Sequence, residues 1–313
     1  MRAVIVDPAK PGATKFHWGD VPAPVPRSGE VLVQVTAVAL SAWEKRVASN
    51  DNAAALSRQI GKFRVALGLE FSGIVRADGK RLRTGQRVMG GPHFTKGEKA
   101  LAEFVAVAED HLVAIPDALE ATAAAVLPVS AETALRCVDA ALVKADDRVL
   151  VIGAGGGVGV NVVQLAAARG AQVTAVASEA ALPRLQELGA AHAYAYTTAA
   201  ADGLPGPFDA VIDHSGTRRF ANVAPQLARG GAFVLLDPQK DLAGLVSSLL
   251  SRRRMPLVYV PQPTAPMQER VLAHVARGEL TPVVQAVYDA SRLTEAFESL
   301  LHDHRVGRMV ITL

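Results

Sequence analysis

The chain has 313 residues, half of them apolar and 20% charged, which excludes a disordered chain and suits about two domains at roughly 150 residues each. Thirty-three lysines and arginines against 30 aspartates and glutamates leave a net charge of +3, a small surplus that argues against a nucleic-acid-binding face. The single cysteine, Cys137, excludes an internal disulfide framework and a four-cysteine zinc site and fits a reducing, cytoplasmic compartment.

The N-terminus opens with an apolar core, Ala3 to Val6, that is too short for a signal peptide and is closed by Asp7. The first 115 or so residues read as short strands between turns, with "EVLVQVTAVAL" (Glu30 to Leu40) rich in β-branched residues and bounded by Pro26 and Gly29. "RVMG" and "LAEFVAVAEDHLVAIP" continue that texture, so a mainly antiparallel β domain is expected. From Asp117 the chain turns alanine-rich with helical spacing. "RVLVIG" (Arg148 to Gly153) predicts a buried strand, "VGVNVVQLAAARG" a helix closed by Gly170, and "AQVTAVAS" the next strand. A helix at "LPRLQELG" and strands at "AHAYAY", "PFDAVIDHSG" and "GGAFVLLDP" follow. Strands alternating with helices imply a parallel sheet with right-handed crossovers. The tail from Pro261 begins as helix and ends in the apolar "RMVITL", which could return to the first domain. One uncharged run, Val149 to Ala168, is long enough to span a membrane, but its glycines and the polar Asn161 and Gln164 argue against a span.

The run "GAGGGVG" after the first of these strands carries the chemistry. Read from Gly153, a dinucleotide fingerprint fails, because its sixth position would be Val158. Read from Ala154, the residues Ala154, Gly155, Gly156, Gly157, Val158 and Gly159 give A-x-G-x-x-G. In that register Ala154 makes the tight turn, Gly156 lets a pyrophosphate approach the backbone, and Gly159 lets the helix lie close to the sheet. The helix N-terminus then offers N–H groups and a partial positive charge. The second strand ends in Ser178, where an NAD site usually has an acidic residue on the ribose 2′-hydroxyl. A serine can donate to a 2′-phosphate, so NADP is favoured over NAD; Glu179, the next residue, keeps NAD open and is expected to face solvent.

The chain resembles the medium-chain dehydrogenase/reductase superfamily, in its zinc-free quinone oxidoreductase-like branch. The resemblance rests on "GLEFSGIV" (Gly68 to Val75), "GQRVMG", "AEFVAV", "AAAVLPVSAETAL", "VLVIGAGGGVGVNVVQLA", Gly189-Ala190, "GELTPVV" and "GRMVITL", and it covers nearly the whole chain. It implies an α/β fold: a Rossmann doubly wound parallel sheet plus a GroES-like mainly antiparallel β domain. Residues 1–117 would form the first part of the substrate domain, 118–260 the dinucleotide-binding domain, and 261–313 the return to the substrate domain. It also implies a homodimer through an edge strand of the Rossmann sheet, here "MPLVYV" (Met255 to Val260).

The resemblance assigns site residues one by one. Metal-dependent relatives carry a cysteine near the residues that are here Leu40 and Ser41, and a Gly-His-Glu motif that is here Gly68-Leu69-Glu70, so no metal is expected. Ser41 stands where zinc-free relatives have an asparagine, and Glu44 matches their nearby acid; Ser41 is the candidate donor to substrate. Trp43 is a candidate pocket wall and His93 a candidate proton relay. Thr133 matches a threonine near the nicotinamide, Tyr196 a tyrosine near the adenosine phosphate, and Ser215 with Gly216 the backbone that passes the ribose. The lysine that relatives place on the 2′-phosphate is here Ala181. The expected activity is NADPH-dependent hydride transfer to a quinone or α,β-unsaturated carbonyl, with no nucleic-acid or membrane partner. An enoyl-thioester reductase, or an NADPH-binding sensor or structural protein with little turnover, are the rivals. Substrate shape is expected to come from loops such as 50–63.

Overall fold

A computed structural model describes residues 1–50, 67–93, 100–197, 204, 206–236, 238–303 and 306–313; most of the loop 50–63 lies outside the described residues. The strands in chain order are β1 (Arg2–Val6), β2 (Phe16–Asp20), β3 (Glu30–Leu40), β4 (Glu70–Val75), β5 (Arg87–Gly90), β6 (Phe104–Ala108) and β7 (Leu112–Ala114). Then come β8 (Arg148–Ile152), β9 (Gln172–Ala177), β10 (His192–Ala195), β11 (Phe208–Asp213), β12 (Leu227–Leu235), β13 (Val284–Asp289) and β14 (Arg308–Thr312).

β3 organises the antiparallel, GroES-like part. Its first half alternates buried and half-exposed residues, as a strand with one face on a core should. One edge pairs along its length with β4, and the other is shared: β6 takes Glu30–Gln34 and β14 takes Ala37–Leu40. The last strand of the chain therefore lies against the first long one. β13 adds outside β14, and β5 and β7 extend the far edge.

β8 to β12 form a five-stranded parallel sheet in the order β10-β9-β8-β11-β12. The chain winds outward from β8 to β9 and β10, then crosses back to β11 on the other side, so a topological switch point opens beside β8. β8 after Arg148 and the Ala210–Ile212 centre of β11 are apolar and buried, as strands covered on both faces should be. This is the doubly wound Rossmann arrangement.

The alanine-rich stretch after Asp117 is two helices, Ala121–Ala125 and Ser130–Ala141, parted at Pro128, which cannot donate to an intrahelical bond. Among the described residues "MPLVYV" is not a continuous edge strand: isolated bridges pair Arg254, just before it, with Ala232 of β12 and Val258 within it with Leu236, and Pro256, which lacks an N–H, stands between them. Helix Ala265–Ala276 packs on helix Ser130–Ala141 and on β7, so it lies across both parts of the molecule.

Candidate functional site

The glycine turn leaves β8 in a left-handed residue at Gly153, φ +81°; the tight turn expected at Ala154 is made one residue earlier. The N–H groups of Gly153 and Ala154 both donate to the carbonyl of Val176 at 3.0 Å, which fastens the turn to β9. Gly159 opens helix Gly159–Ala168 hard against the turn: a Cβ there would strike the Gly153 carbonyl oxygen and come within 2.7 Å of the Ala154 Cα. Gly156 is different. A Cβ there would meet nothing nearer than the Gly153 carbonyl oxygen at 3.5 Å, so its face is open.

Gly157 is covered from the other part of the molecule. A Cβ on it would collide with the Arg308 side chain, which crosses it. The Gly307 N–H donates to the Gly155 carbonyl at 3.0 Å, so the start of β14 rests on the turn. Arg308 Nε lies 3.0 Å from Ser130 Oγ and 3.2 Å from Glu70 Oε1. Glu70, fully buried in β4, also accepts from the Val129 and Ser130 N–H groups at 2.9 Å and from Ser130 Oγ at 2.7 Å. The carboxylate is thus satisfied by one cation and three other donors.

A cavity of about 370 Å³ runs along this seam. The structure brings to it Ser41, Trp43, Thr133, Gly156, Gly157, Val158, Gly159, Tyr196 and Ser215 from the sequence-predicted set, together with Arg308, His214, Leu236 and Val260. Ala154, Gly155, Ser178 and Gly216 are not among the residues lining it. Nor is His93, whose ring lies 5.9 Å from that of His111.

Ser41 caps helix Ala42–Ala48. Its hydroxyl donates to Glu44 Oε2 and accepts from the Trp43 N–H at 3.1 Å; its own N–H also donates to Glu44 at 2.8 Å. Glu44 accepts in addition from the Gly68 N–H at 2.9 Å. Burial pushes the Glu44 carboxyl above its ordinary range, against the pull of these hydrogen bonds. The Thr133 hydroxyl donates to the Val129 carbonyl at 2.6 Å in its own helix.

At the opposite end Glu179 is exposed and Tyr196 is 50% exposed; burial and then the Asp213 charge raise the Tyr196 phenol. Asp213, the last residue of β11, holds the following turn through the N–H groups of Ser215, Gly216 and Arg218 and the Ser215 hydroxyl. The next residue, His214, carries two buried ring nitrogens with no hydrogen-bond partner. Cys137 is buried in the helix core, its thiol pushed up to about 12 by desolvation. Among the described residues no group of three or more histidines, cysteines or acids is placed to hold a metal, and no helix is long and apolar enough to cross a membrane.

Arg308 and His214 are polar residues lining the cavity that sequence reasoning passed over. Both sit inside quoted motifs, "GRMVITL" and "PFDAVIDHSG", but strand signals there drew attention to the apolar neighbours.

Residues 27–117 match the alcohol dehydrogenase GroES-like domain and residues 188–311 match the zinc-binding dehydrogenase family. The chain is 26% identical to the chloroplast envelope quinone oxidoreductase homolog of Arabidopsis thaliana, over 96% of this chain and 94% of that one. It is 29% identical to the 2-methylene-furan-3-one reductase of Solanum lycopersicum, over 93% and 74%. The solved quinone oxidoreductase of Coxiella burnetii superposes with a TM-score of 0.87 at 25% identity, covering 100% of this chain and 99% of that one.

Proposed function

Because the chain is an oxidoreductase belonging to the medium-chain dehydrogenase/reductase superfamily, quinone-oxidoreductase-like, we propose that it reduces a quinone or an α,β-unsaturated carbonyl with NADPH and without zinc. The observation that carries this reading is the open face of Gly156 in the same cavity as Ser41 and Trp43. A dinucleotide fits there on three counts: the glycine turn leaves room, Arg308 brings a cation to the turn, and the N-terminus of helix Gly159–Ala168 favours an anion.

A bound nicotinamide would supply the hydride. This chain's own residues would do the rest. The glycine turn and Arg308 would hold the pyrophosphate, Thr133 and Leu236 would flank the nicotinamide end, and Trp43 with Leu69 would wall the acceptor. The charge developing on the acceptor oxygen needs donors, and a conjugated acceptor spreads that charge itself. Positioning therefore carries most of the rate enhancement. The zinc-free reading is supported by the donor set: by the resemblance, the cysteine of metal-dependent relatives falls near Leu40 and Ser41 here and their histidine at Leu69, and Glu70 is engaged by Arg308 and Ser130.

One observation favours the low-turnover rival. The Ser41 hydroxyl spends its proton on Glu44, so a substrate carbonyl gains no donor from it unless that bond breaks. Steady-state NADPH oxidation against quinones, enones and enoyl thioesters separates the three readings: turnover of thioesters alone supports the enoyl reductase, and no turnover with bound cofactor supports the binding protein.

A homodimer is part of the same reading. Leu257, Tyr259 and Val260 beyond β12 and Leu249 and Leu250 on helix Leu242–Leu250 expose apolar side chains, a patch suited to a second copy. Sedimentation at monomer mass across the micromolar range would contradict it.

A further inference from the structure

Ser41 and Glu44 form one hydrogen-bonded unit at the wall of the cavity. Ser41 lines the cavity, and Glu44 lies fully buried behind it in the first turn of helix Ala42–Ala48. Glu44 Oε2 lies 2.5 Å from the Ser41 hydroxyl and accepts the Ser41 N–H at 2.8 Å. Oε1 accepts the Gly68 N–H at 2.9 Å, and Ser41 Oγ accepts the Trp43 N–H at 3.1 Å. This frame holds two proton arrangements without moving a heavy atom. With Glu44 ionised, the serine proton points at the carboxylate. With Glu44 protonated, Oε2 donates to Ser41 Oγ, the Trp43 N–H takes the other serine lone pair, and the serine proton is released.

Burial favours the second arrangement, because a carboxylate taken out of water with no cation beside it is costly. Burial is the largest influence on Glu44 and pushes its carboxyl above the ordinary range, against the pull of its hydrogen bonds. No cation offsets it among the described residues. The helix packs against β3, the turn Gly12–Lys15 and helix Leu293–His302. β3 has no charged residue after Glu30 at its start. Lys15 is buried, but its ammonium donates to the Ala48 and Asn50 carbonyls at the far end of the helix. Glu295 pairs with Arg292, and Glu298 with His302. None of these charges, nor Lys45 or Arg46 beside Glu44 on its own helix, contributes to the shift.

We propose that Glu44 supplies, through the Ser41 hydroxyl, the proton that the reduced acceptor takes up. The proposal rests on the reductase reading above. An acceptor that has received a hydride carries negative charge on its carbonyl oxygen. The Ser41 O–H bond then breaks toward that oxygen while the Glu44 O–H bond breaks toward Ser41 Oγ. The acceptor has gained one hydride and one proton, the serine is restored, and Glu44 is left as a carboxylate that regains its proton from solvent. Ser41 is the group that touches substrate, and Glu44 acts through it. The serine that an ionised Glu44 would lock is thereby a donor in the form that reacts.

The test follows NADPH oxidation with menadione and with methyl vinyl ketone across pH in wild type, Glu44→Gln, Glu44→Asp and Ser41→Ala. The protonated form is the active one, so wild-type kcat should be full below the Glu44 value and fall as pH rises through it. Glu44→Gln keeps the shape but has no proton to give. It should lose about a hundredfold in kcat and lose that high-pH limb, with KM for NADPH unchanged. Ser41→Ala should lose as much, and joining the two substitutions should cost no more than either alone, because the pair acts as a unit. Glu44→Asp, which keeps a carboxyl, should recover part of the rate together with a limb. A merely structural Glu44 would leave the limb in place in Glu44→Gln; that result overturns the proposal, as do a wild-type kcat in this variant and additive losses in the double variant. A further readout needs no variant to fold. In wild type labelled with ¹³C-glutamate, one side-chain carboxyl should titrate above the ordinary carboxylate range, and a full set within that range overturns the proposal. Wild type that oxidises NADPH with neither acceptor overturns the reductase reading together with this one, whereas turnover that ignores Glu44 overturns this inference alone.

Discussion

Arg308 Nε lies 3.2 Å from Glu70 Oε1, joining the start of the last strand to a fully buried carboxylate on β4 while the arginine side chain crosses Gly157. Both residues belong to the antiparallel sheet, and it is the Gly307 N–H on the Gly155 carbonyl and the arginine over Gly157 that bring this sheet onto the glycine turn. A side chain on the third of the three consecutive glycines would have to displace this arginine from its place against Glu70. Glu70, the acid of Gly68-Leu69-Glu70, holds an arginine.

Arg308→Met should therefore act in two ways. Glu70 would keep its three other donors but lose its cation, which should lower folding stability by about 3–5 kcal/mol. NADPH should bind more than about tenfold more weakly, with the same loss for NADH, since the pyrophosphate is common to both. Urea denaturation and cofactor titration check the two effects separately. A destabilised variant with unchanged cofactor affinity would confine Arg308 to a structural role.

Gly156 and Gly159 should respond oppositely to substitution. Gly159→Ala forces a Cβ onto the backbone of Gly153 and Ala154, so the fold should lose about 2 kcal/mol or more. Gly156→Val brings its Cβ no nearer than an ordinary 3.5 Å contact with the Gly153 carbonyl oxygen, so the melting temperature should hardly move while NADPH affinity falls well over tenfold. Thermal melts and titrations of both variants read this out; a Gly156→Val protein with wild-type cofactor affinity would contradict the assigned fingerprint.

The fold class was legible because the strand and helix periods are strong and the glycine run marks one βαβ unit. That a tight glycine turn follows β8 and opens a helix was legible too, but which residue turns left-handed was not, since Ala154 and Gly153 both suit a sharp turn by composition. Ser41 and Thr133 could be placed near the cavity from sequence, yet not the fate of their protons, because Glu44 and the Val129 carbonyl come close only through helix geometry. Arg308 and His214 meet the glycine turn from strands about 150 and 60 residues further along the chain, and no local pattern reports such contacts.

Cofactor choice turns on the end of β9. Ser178 follows that strand, Glu179 is exposed, and Tyr196 lines the cavity. With Ala181 in place of a phosphate-binding lysine, the preference should be moderate: about ten- to a hundredfold for NADPH over NADH in kcat/KM. Ser178→Asp should reverse it by repelling the phosphate and accepting from the ribose hydroxyls. Kinetics with both cofactors decide; a wild type that prefers NADH would mean that Glu179 turns inward.

His214 also predicts an acid limb of stability. Its imidazole falls from the ordinary 6.5 to about 4 in the folded chain, so the unfolded chain binds the extra proton between those values. Stability from this group is present above the unfolded value and is lost as pH falls toward the folded one. Between pH 7 and pH 5 the loss should be about 2 kcal/mol, and His214→Phe should lack that part of it. Urea midpoints of both proteins at the two pH values check this; parallel losses would show that His214 titrates normally.

The most direct test of the account is steady-state NADPH oxidation by chelator-treated protein with a panel of quinones and α,β-unsaturated ketones. The account predicts turnover of at least one of them at a rate that chelation leaves unchanged. No oxidation of bound NADPH by any of them, or activity that disappears together with one zinc per chain, would contradict it.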